Sequence, residues 1–237
     1  MRLTGKRALV TGAGKGIGRA VALALAAEGA NVGLVARSRN DLDAVAKALG
    51  PDARLSIATA DLAVRSEAEH AVAQVARDLG GIDILINNAG TAAFGSVLEM
   101  EPEMWERIFR VNVFGLYYVT RAVLPHMISA GAGDIINVAS TAGQKGSARL
   151  SAYAASKAAV LSFTESLMPE VRTQGIRVTA VLPSTVNTEL ASSMGLPIGE
   201  DARMMQPEDV AQSIVAALTL PSRVFLRDLS ILTTNPG

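Results

Sequence analysis

Arg7-Ala-Leu-Val-Thr-Gly-Ala-Gly-Lys-Gly-Ile-Gly18 is an apolar run that breaks on closely spaced glycines and then continues into Ala/Leu-rich sequence. It predicts a strand over 6–11, a tight turn and a helix over 17–28. Glycines let a backbone approach a pyrophosphate closely, and a helix N-terminus offers N–H groups at its positive dipole end. Gly12, Gly16 and Gly18 set the spacing Gly-x-x-x-Gly-x-Gly, and Gly14, Lys15 and Ile17 complete the candidate cradle. No Gly-Lys-Ser/Thr follows, so this is not a nucleoside-triphosphate loop.

Outward from this turn, apolar strand-like runs alternate with Ala/Leu-rich helical stretches. Strands are predicted near 6–11, 31–36, 54–59, 82–87, 134–140, 176–182 and 224–231. Helices are predicted near 17–28, 40–49, 65–79, 102–130, 153–173 and 207–219. Such alternation predicts an α/β fold, a doubly wound parallel sheet covered on both faces. No linker or internal repeat divides residues 1–237, so one domain is expected. The least regular stretch, 184–206, is expected to be a lid over a site; it holds Gly195, Pro197, Gly199 and several methionines.

Bulk properties narrow the function. Hydrophobic residues make up 49% of the chain and charged residues 19%, a globular rather than disordered composition. Lys+Arg and Asp+Glu both number 22, which argues against nucleic acid or an anionic membrane as the main partner. There is no cysteine, hence no thiol nucleophile and no disulfide. The sequence enters its first strand without a signal peptide, and no apolar run is long enough to span a bilayer, so a cytoplasmic protein is expected. His70 and His126 are isolated and have no metal-ligand spacing. A Gly-x-Ser-x-Gly hydrolase elbow is also absent.

Strand two ends Ala36-Arg37-Ser38. In dinucleotide folds an acid near here holds a ribose 2′-hydroxyl. Ala36 fills that place, and Arg37, with Lys15 and with help from Arg39, suits a 2′-phosphate instead; Ser38 joins this candidate set. Asp41 and Asp43 are expected to cap and charge the next helix. Asp61-Leu62 could reach an adenine edge or cap the helix at 65–79. Asn87-Asn88-Ala89-Gly90 ends strand four with amides and a glycine, as crevice walls do. Asn112 lies mid-helix among Ile108, Val111, Val113 and Phe114, where a buried amide needs partners; backbone partners and site partners both remain open.

A second stretch carries the chemistry. Ile135, Ile136 and Val138 lead to Ser140, Gly143 and Gly146 break the chain, and Ser151 is expected to cap an Ala-rich helix. Tyr153 and Lys157 then stand one turn apart on one face. An ammonium nearby would favour the phenolate and lower its pKa, which suits proton exchange with an alcohol or carbonyl oxygen. Ser140 could bond the same oxygen. The bland alternative is a surface tyrosine beside a solvated lysine.

Thr11-Gly-x-x-x-Gly-x-Gly18, Asn87-Asn-Ala-Gly90, Asn112, Ser140 and Tyr153-x-x-x-Lys157, in this order, resemble the short-chain dehydrogenase/reductase family over essentially the whole chain. The resemblance implies a single-domain Rossmann fold with a seven-stranded sheet, a nicotinamide cofactor, and a catalytic tetrad of Asn112, Ser140, Tyr153 and Lys157. It further implies that Pro183, Val186 and Thr188 meet the nicotinamide, and that the protein is a homotetramer or homodimer. Among family members the chain looks most like bacterial 3-oxoacyl-carrier-protein reductases and broad carbonyl reductases. It departs from them at Ser184, where the family usually has glycine after Pro183. It also departs in its tail from Val224 to Gly237, and at Ser129–Asp134, which lacks basic residues for docking an acidic carrier; Arg172 and Arg177 remain for that role.

The expected activity is NADPH-dependent reduction of a ketone or aldehyde. Ser140 positions the carbonyl oxygen, Tyr153 gives the proton, and Lys157 lowers the Tyr153 pKa and holds the ribose. Asn112 anchors a water that links Lys157 to solvent. The rivals are the same chemistry run oxidatively, a 3-oxoacyl-carrier-protein reductase, and a non-catalytic NADP(H)-binding regulator. The small-molecule pocket is expected to be walled by Thr91, Phe94, Thr141, Gln144, Ser147 and Leu150, with Met194, Leu196, Met204 and Met205 from the lid. Lys145, Arg149 and Arg203 lie close in sequence. Such a wall suits neutral, medium-sized hydrophobic ketones, diketones or 3-oxoesters.

Overall fold

The computed structural model describes residues 1–196, 198–199 and 203–234. Pro197, in the expected lid, and the last three residues of the tail lie outside this set. Seven parallel strands, β1 (Arg7–Thr11), β2 (Asn31–Ala36), β3 (Leu55–Thr59), β4 (Ile84–Asn87), β5 (Gly133–Val138), β6 (Ile176–Pro183) and β7 (Asp228–Ile231), form one sheet. Their spatial order is β3-β2-β1-β4-β5-β6-β7. The chain therefore builds outward from β1 in one direction, returns, and continues from β4 in the other. This reversal opens a crevice at the carboxyl ends of β1 and β4, where open α/β sheets bind ligands. The molecule is a single-domain Rossmann fold, as the alternating pattern and the resemblance led us to expect.

The helices are α1 (Gly16–Ala27), α2 (Arg39–Leu49), α3 (Arg65–Leu79), α4 (Pro102–Phe109), α5 (Leu116–Ala130), α6 (Ser151–Val171), α7 (Glu189–Ser193) and α8 (Pro207–Leu218). One face of the sheet is buried under α1, α2 and α8 through Val21, Leu25, Leu42, Val45, Val210 and Ile214. The other is buried under α3, α5 and α6 through Val72, Val75, Val123, Met127, Leu167 and Val171. Central strands buried on both faces read as continuous apolar runs for this reason.

Several boundaries differ from the sequence expectation. The long helix over 102–130 is two helices joined by a π turn, Arg110–Gly115. Gly115 faces Leu62 so closely that a Cβ there would stand 2.9 Å from the Leu62 carbonyl oxygen. Ser151 is the first residue of α6, not its cap; Leu150 holds the cap position without a side-chain bond. Strand β7 begins at 228 rather than 224. The carbonyls of Val224 and Leu226 are taken by the Arg177 guanidinium, at 2.9 Å, and the Thr179 hydroxyl, at 2.6 Å, so side chains replace a ladder there. The expected lid holds a short helix, α7, capped by Thr188, whose hydroxyl accepts the Ala191 N–H at 3.3 Å.

Candidate active site

Strand β1 ends in Thr11, whose hydroxyl binds the β4 terminus in three directions. It donates to the Ile86 carbonyl at 3.2 Å and accepts the Asn88 and Ala89 N–H groups at 3.0 and 3.1 Å. Asn88 returns the link through its amide, which donates to the carbonyls of Thr11 and Gly12. The Asn88 side chain is thus committed to tying two loops together. Gly12 has a φ of 64° and sits where a Cβ would lie 2.9 Å from the Ala89 Cα. At Gly18 a Cβ would lie 2.1 Å from the Gly12 carbonyl oxygen, so no side chain fits. Lys15, at the N-cap of α1, makes no side-chain cap, and the first N–H groups of α1 therefore face the crevice uncapped.

The crevice is a cleft of about 870 Å³. Its walls include all of the expected cradle except Gly18, which is buried. They also include Arg37, Ser38, Asp61, Leu62, Asn88, Ala89, Gly90, Ser140, Tyr153, Lys157, Pro183, Val186 and Thr188. Thr91, Phe94, Thr141, Ser147, Leu150, Met194 and Leu196 line the cleft as well. Three expected wall residues do not line it. Gln144 is exposed and does not line the cleft, although Thr141, Ala142 and Ser147 of the same turn do. Met205 is a core residue, 5% exposed and bridged to Val186, and Met204 does not reach the cleft either.

At the floor, the Ser140 hydroxyl accepts the Ala142 N–H at 3.2 Å and lies 3.5 Å from the Pro183 carbonyl. Tyr153 lines the same part of the cleft. Lys157 is 5% exposed, and its ammonium donates to the Val138 carbonyl at 2.8 Å and lies 5.7 Å from the centre of the Tyr153 ring. Burial brings the Lys157 pKa down to about 8. Burial also pushes the Tyr153 phenol above its ordinary value, with the neighbouring Ser140 side chain pulling the other way. The expected lowering of the Tyr153 pKa by Lys157 is thus outweighed by burial, and the ammonium itself is turned to a backbone carbonyl.

Asn112 is 1% exposed. Its amide oxygen accepts the Thr91 N–H at 2.8 Å, and its NH₂ donates to the Thr91 carbonyl and to the Ser156 hydroxyl, both at 2.9 Å. It therefore clamps the Gly90–Thr91 turn to α6, using backbone and side-chain partners together. Gly143, expected only to break the chain, does more: a Cβ there would come within 2.7 Å of the Lys157 carbonyl carbon, so this glycine lets the turn after Ser140 lie on α6. Sequence reading missed Arg107, which binds Asp61 at 2.7 Å across 46 residues, a pairing no local pattern announces. Burial works against the Asp61 charge, but the Arg107 guanidinium and the Ala63 N–H outweigh it and hold the carboxyl below its usual range. Asp61 neither caps α3 nor is left unpaired.

The family model for short chain dehydrogenases matches residues 6–197. This chain belongs to the short-chain dehydrogenases. An uncharacterized oxidoreductase of Staphylococcus aureus (strain MRSA252) is 33% identical over 229 residues, 97% of each chain. Among solved structures, a 3-ketoacyl-(acyl-carrier-protein) reductase from Brucella melitensis, complexed with NADH, is 34% identical and superposes with a TM-score of 0.89 over 98% of both chains. A serine dehydrogenase complexed with NADP⁺ is 32% identical, with a TM-score of 0.87 over 94% of this chain and 93% of that one.

As a short-chain dehydrogenase the protein is an oxidoreductase of a family that binds nicotinamide cofactors. Its cleft fits one. Glycines that let the loop pack against Asp41, Asn88, Ala89 and Thr188, an uncapped helix N-terminus for a diphosphate, and a long trough from Arg37 to Tyr153 are the features such a ligand needs. No group of three or more His, Cys, Asp or Glu side chains able to hold a metal exists among the described residues. Nor, among them, is any helix long and apolar enough to cross a membrane.

Proposed function

We propose that this dehydrogenase is an NADPH-dependent carbonyl reductase. The observation that carries the reading is the floor of the cleft, where Ser140, Tyr153 and Lys157 come together, the Lys157 ammonium 5.7 Å from the centre of the Tyr153 ring. The nicotinamide supplies the hydride when bound. Ser140 and Tyr153 hold the substrate oxygen, and the Tyr153 hydroxyl, protonated at neutral pH, gives its proton to that oxygen as the alcohol forms. Lys157 keeps a positive charge beside the phenolate this leaves. Asn112 fixes the Gly90–Thr91 turn against α6, which keeps the cleft wall and Tyr153 in register. A pure binding protein has no use for this set, which counts against the regulator.

NADPH is favoured over NADH by Arg37, exposed at the end of β2 where a ribose-binding acid is missing. Arg39 drops out of that role, since it pairs with Asp43 at 2.8 Å. The substrate end is walled by apolar and neutral groups, supporting neutral hydrophobic ketones, diketones or 3-oxoesters. Carrier-protein docking is disfavoured. Arg177 is committed to Asp134 at 2.5 Å and to carbonyls of the α8–β7 segment, which leaves Arg172 alone of the expected pair. Homo-oligomerisation is supported by an apolar groove on α5 and α6, where Phe114 and Tyr117 are 49% and 44% exposed beside Phe163.

The test is turnover with NADPH and NADH over a panel of carbonyls that includes a 3-oxoacyl thioester, free and on carrier protein. Preferential NADPH-dependent reduction of the free substrates supports the reading. Absence of turnover, or a preference of several hundredfold for the carrier-bound acyl group, overturns it.

A further inference from the structure

The adenosine end of the cleft holds a charge that the sequence pattern did not assign to it. Asp41 lies in the first turn of α2, and its own N–H is capped by the Ser38 hydroxyl at 3.3 Å. Ser38 is therefore the cap, and the Asp41 carboxylate is released from that duty. It turns instead toward the glycine loop and stands 3.5 Å from the Lys15 ammonium. The approach is close: a Cβ on Gly14 would meet the Asp41 Cβ at 2.8 Å. Asp41, Lys15, Arg37 and Ser38 all line the same end of the cleft. Arg37 makes no ion pair among the described residues, whereas Lys15 is already matched by a carboxylate.

We propose that Asp41 is a specificity-determining residue, which occupies Lys15 and opposes a 2′-phosphate, so that Arg37 alone sets the preference for NADPH. The proposal rests on the dinucleotide reading of the cleft and deepens it. A 2′-phosphate brings nearly two negative charges to a place where the Lys15–Asp41 pair is neutral as a unit. A 2′-hydroxyl brings none. Asp41 thus weakens one ligand and leaves the other alone, a restraint built by repulsion rather than by a new contact.

The test is direct binding, by calorimetry, of adenosine 2′,5′-bisphosphate and of 5′-AMP to the full chain. Wild type, Asp41→Asn, Asp41→Ser, Lys15→Ala and Lys15→Ala/Asp41→Asn are compared. Removing the carboxylate in either single variant is expected to tighten bisphosphate binding about tenfold, the low end for one charge-assisted contact. Binding of 5′-AMP should stay unchanged. In the Lys15→Ala background the ratio should move less, because the freed partner is gone. An unchanged ratio in both single variants overturns the proposal, as does equal weakening of both ligands. A wild type that binds 5′-AMP more tightly than the bisphosphate overturns the NADPH reading. The role of Asp41 would then still be decided by the shift in the ratio.

Discussion

The Lys157 ammonium donates to the Val138 carbonyl at 2.8 Å, and this bond fastens helix α6 to the end of strand β5 two residues before Ser140. The lysine thereby sets the distance between the element that carries Tyr153 and the strand end that carries Ser140. It does so from a buried position, and burial lowers its pKa to about 8.

Lys157 should therefore govern the pH dependence of turnover. Below pH 8 it is protonated and supports proton donation; above that it loses its charge, while Tyr153, raised above its ordinary value of about 10, keeps its proton. We expect kcat for carbonyl reduction to fall along a single limb centred near pH 8. A profile flat to pH 10 contradicts this.

The same lysine should weaken the fold. Its folded pKa, about 8, lies below its value of 10.5 in an unperturbed chain, so the unfolded state binds more protons between those values. The penalty is fully present below pH 8 and is lost as pH rises through 10.5. The gap corresponds to about 3 kcal/mol at 1.36 kcal/mol per pH unit, reduced by about 1 kcal/mol for the lost bond to Val138. Lys157→Met should accordingly raise the melting temperature by several degrees at pH 7 and barely at pH 10.5, with turnover abolished. Thermal melts at both pH values decide it.

Tyr153→Phe removes the proton donor and leaves the aromatic packing. We expect kcat to drop roughly 100- to 10,000-fold, the usual weight of general acid catalysis. Titration of NADPH fluorescence should show nearly unchanged dinucleotide affinity. Near-normal turnover would place the proton donor elsewhere.

The glycine cradle and the Ser140–Tyr153–Lys157 set were legible because each depends on local spacing: a tight turn leaves glycines, and one helical turn separates Tyr153 from Lys157. The parallel, doubly wound sheet was legible in the alternation of strand-like and helical runs, but its strand order was not. What could not be read arises from contacts between distant residues. Arg107 reaches Asp61, Arg177 and Thr179 take the carbonyls of Val224 and Leu226 at the expected start of β7, and the π turn before α5 accommodates Asn112 and Gly115. The Tyr153 pKa was misjudged because spacing reveals the neighbour but not the desolvation that outweighs it.

Arg37→Ala should reduce kcat/KM for NADPH about tenfold or more, mainly through KM, and leave NADH nearly unaffected, since a charge-assisted phosphate contact is worth roughly 1.5–3 kcal/mol. Steady-state kinetics with both cofactors measures this. Equal losses with the two cofactors would assign Arg37 a role unrelated to the 2′ position.

Two glycine variants should behave oppositely. Gly18→Ala drives a methyl to 2.1 Å from the Gly12 carbonyl oxygen and should abolish dinucleotide binding or folding. At Gly146 the nearest atom, the Ala154 Cβ, is 3.9 Å away, and Gly146→Ala should be within about 0.5 kcal/mol of wild type. Circular dichroism and NADPH binding of the pair provide the comparison.

The Arg177 clasp bears on the order in which the protein is made. Arg177 and its partner Asp134 leave the ribosome well before the carbonyls of Leu218, Leu220 and Val224 that the guanidinium binds. Until those arrive, β6 has no neighbour on its outer side, and the Thr179 hydroxyl waits for the Leu226 carbonyl. From the completion of β6 until β7 arrives, the nascent chain thus carries an open edge on that side of the sheet, which only the last residues cover. A product terminated before residue 218 keeps every catalytic residue and lacks the closure, which makes it a substrate for chaperones and proteases rather than a smaller enzyme.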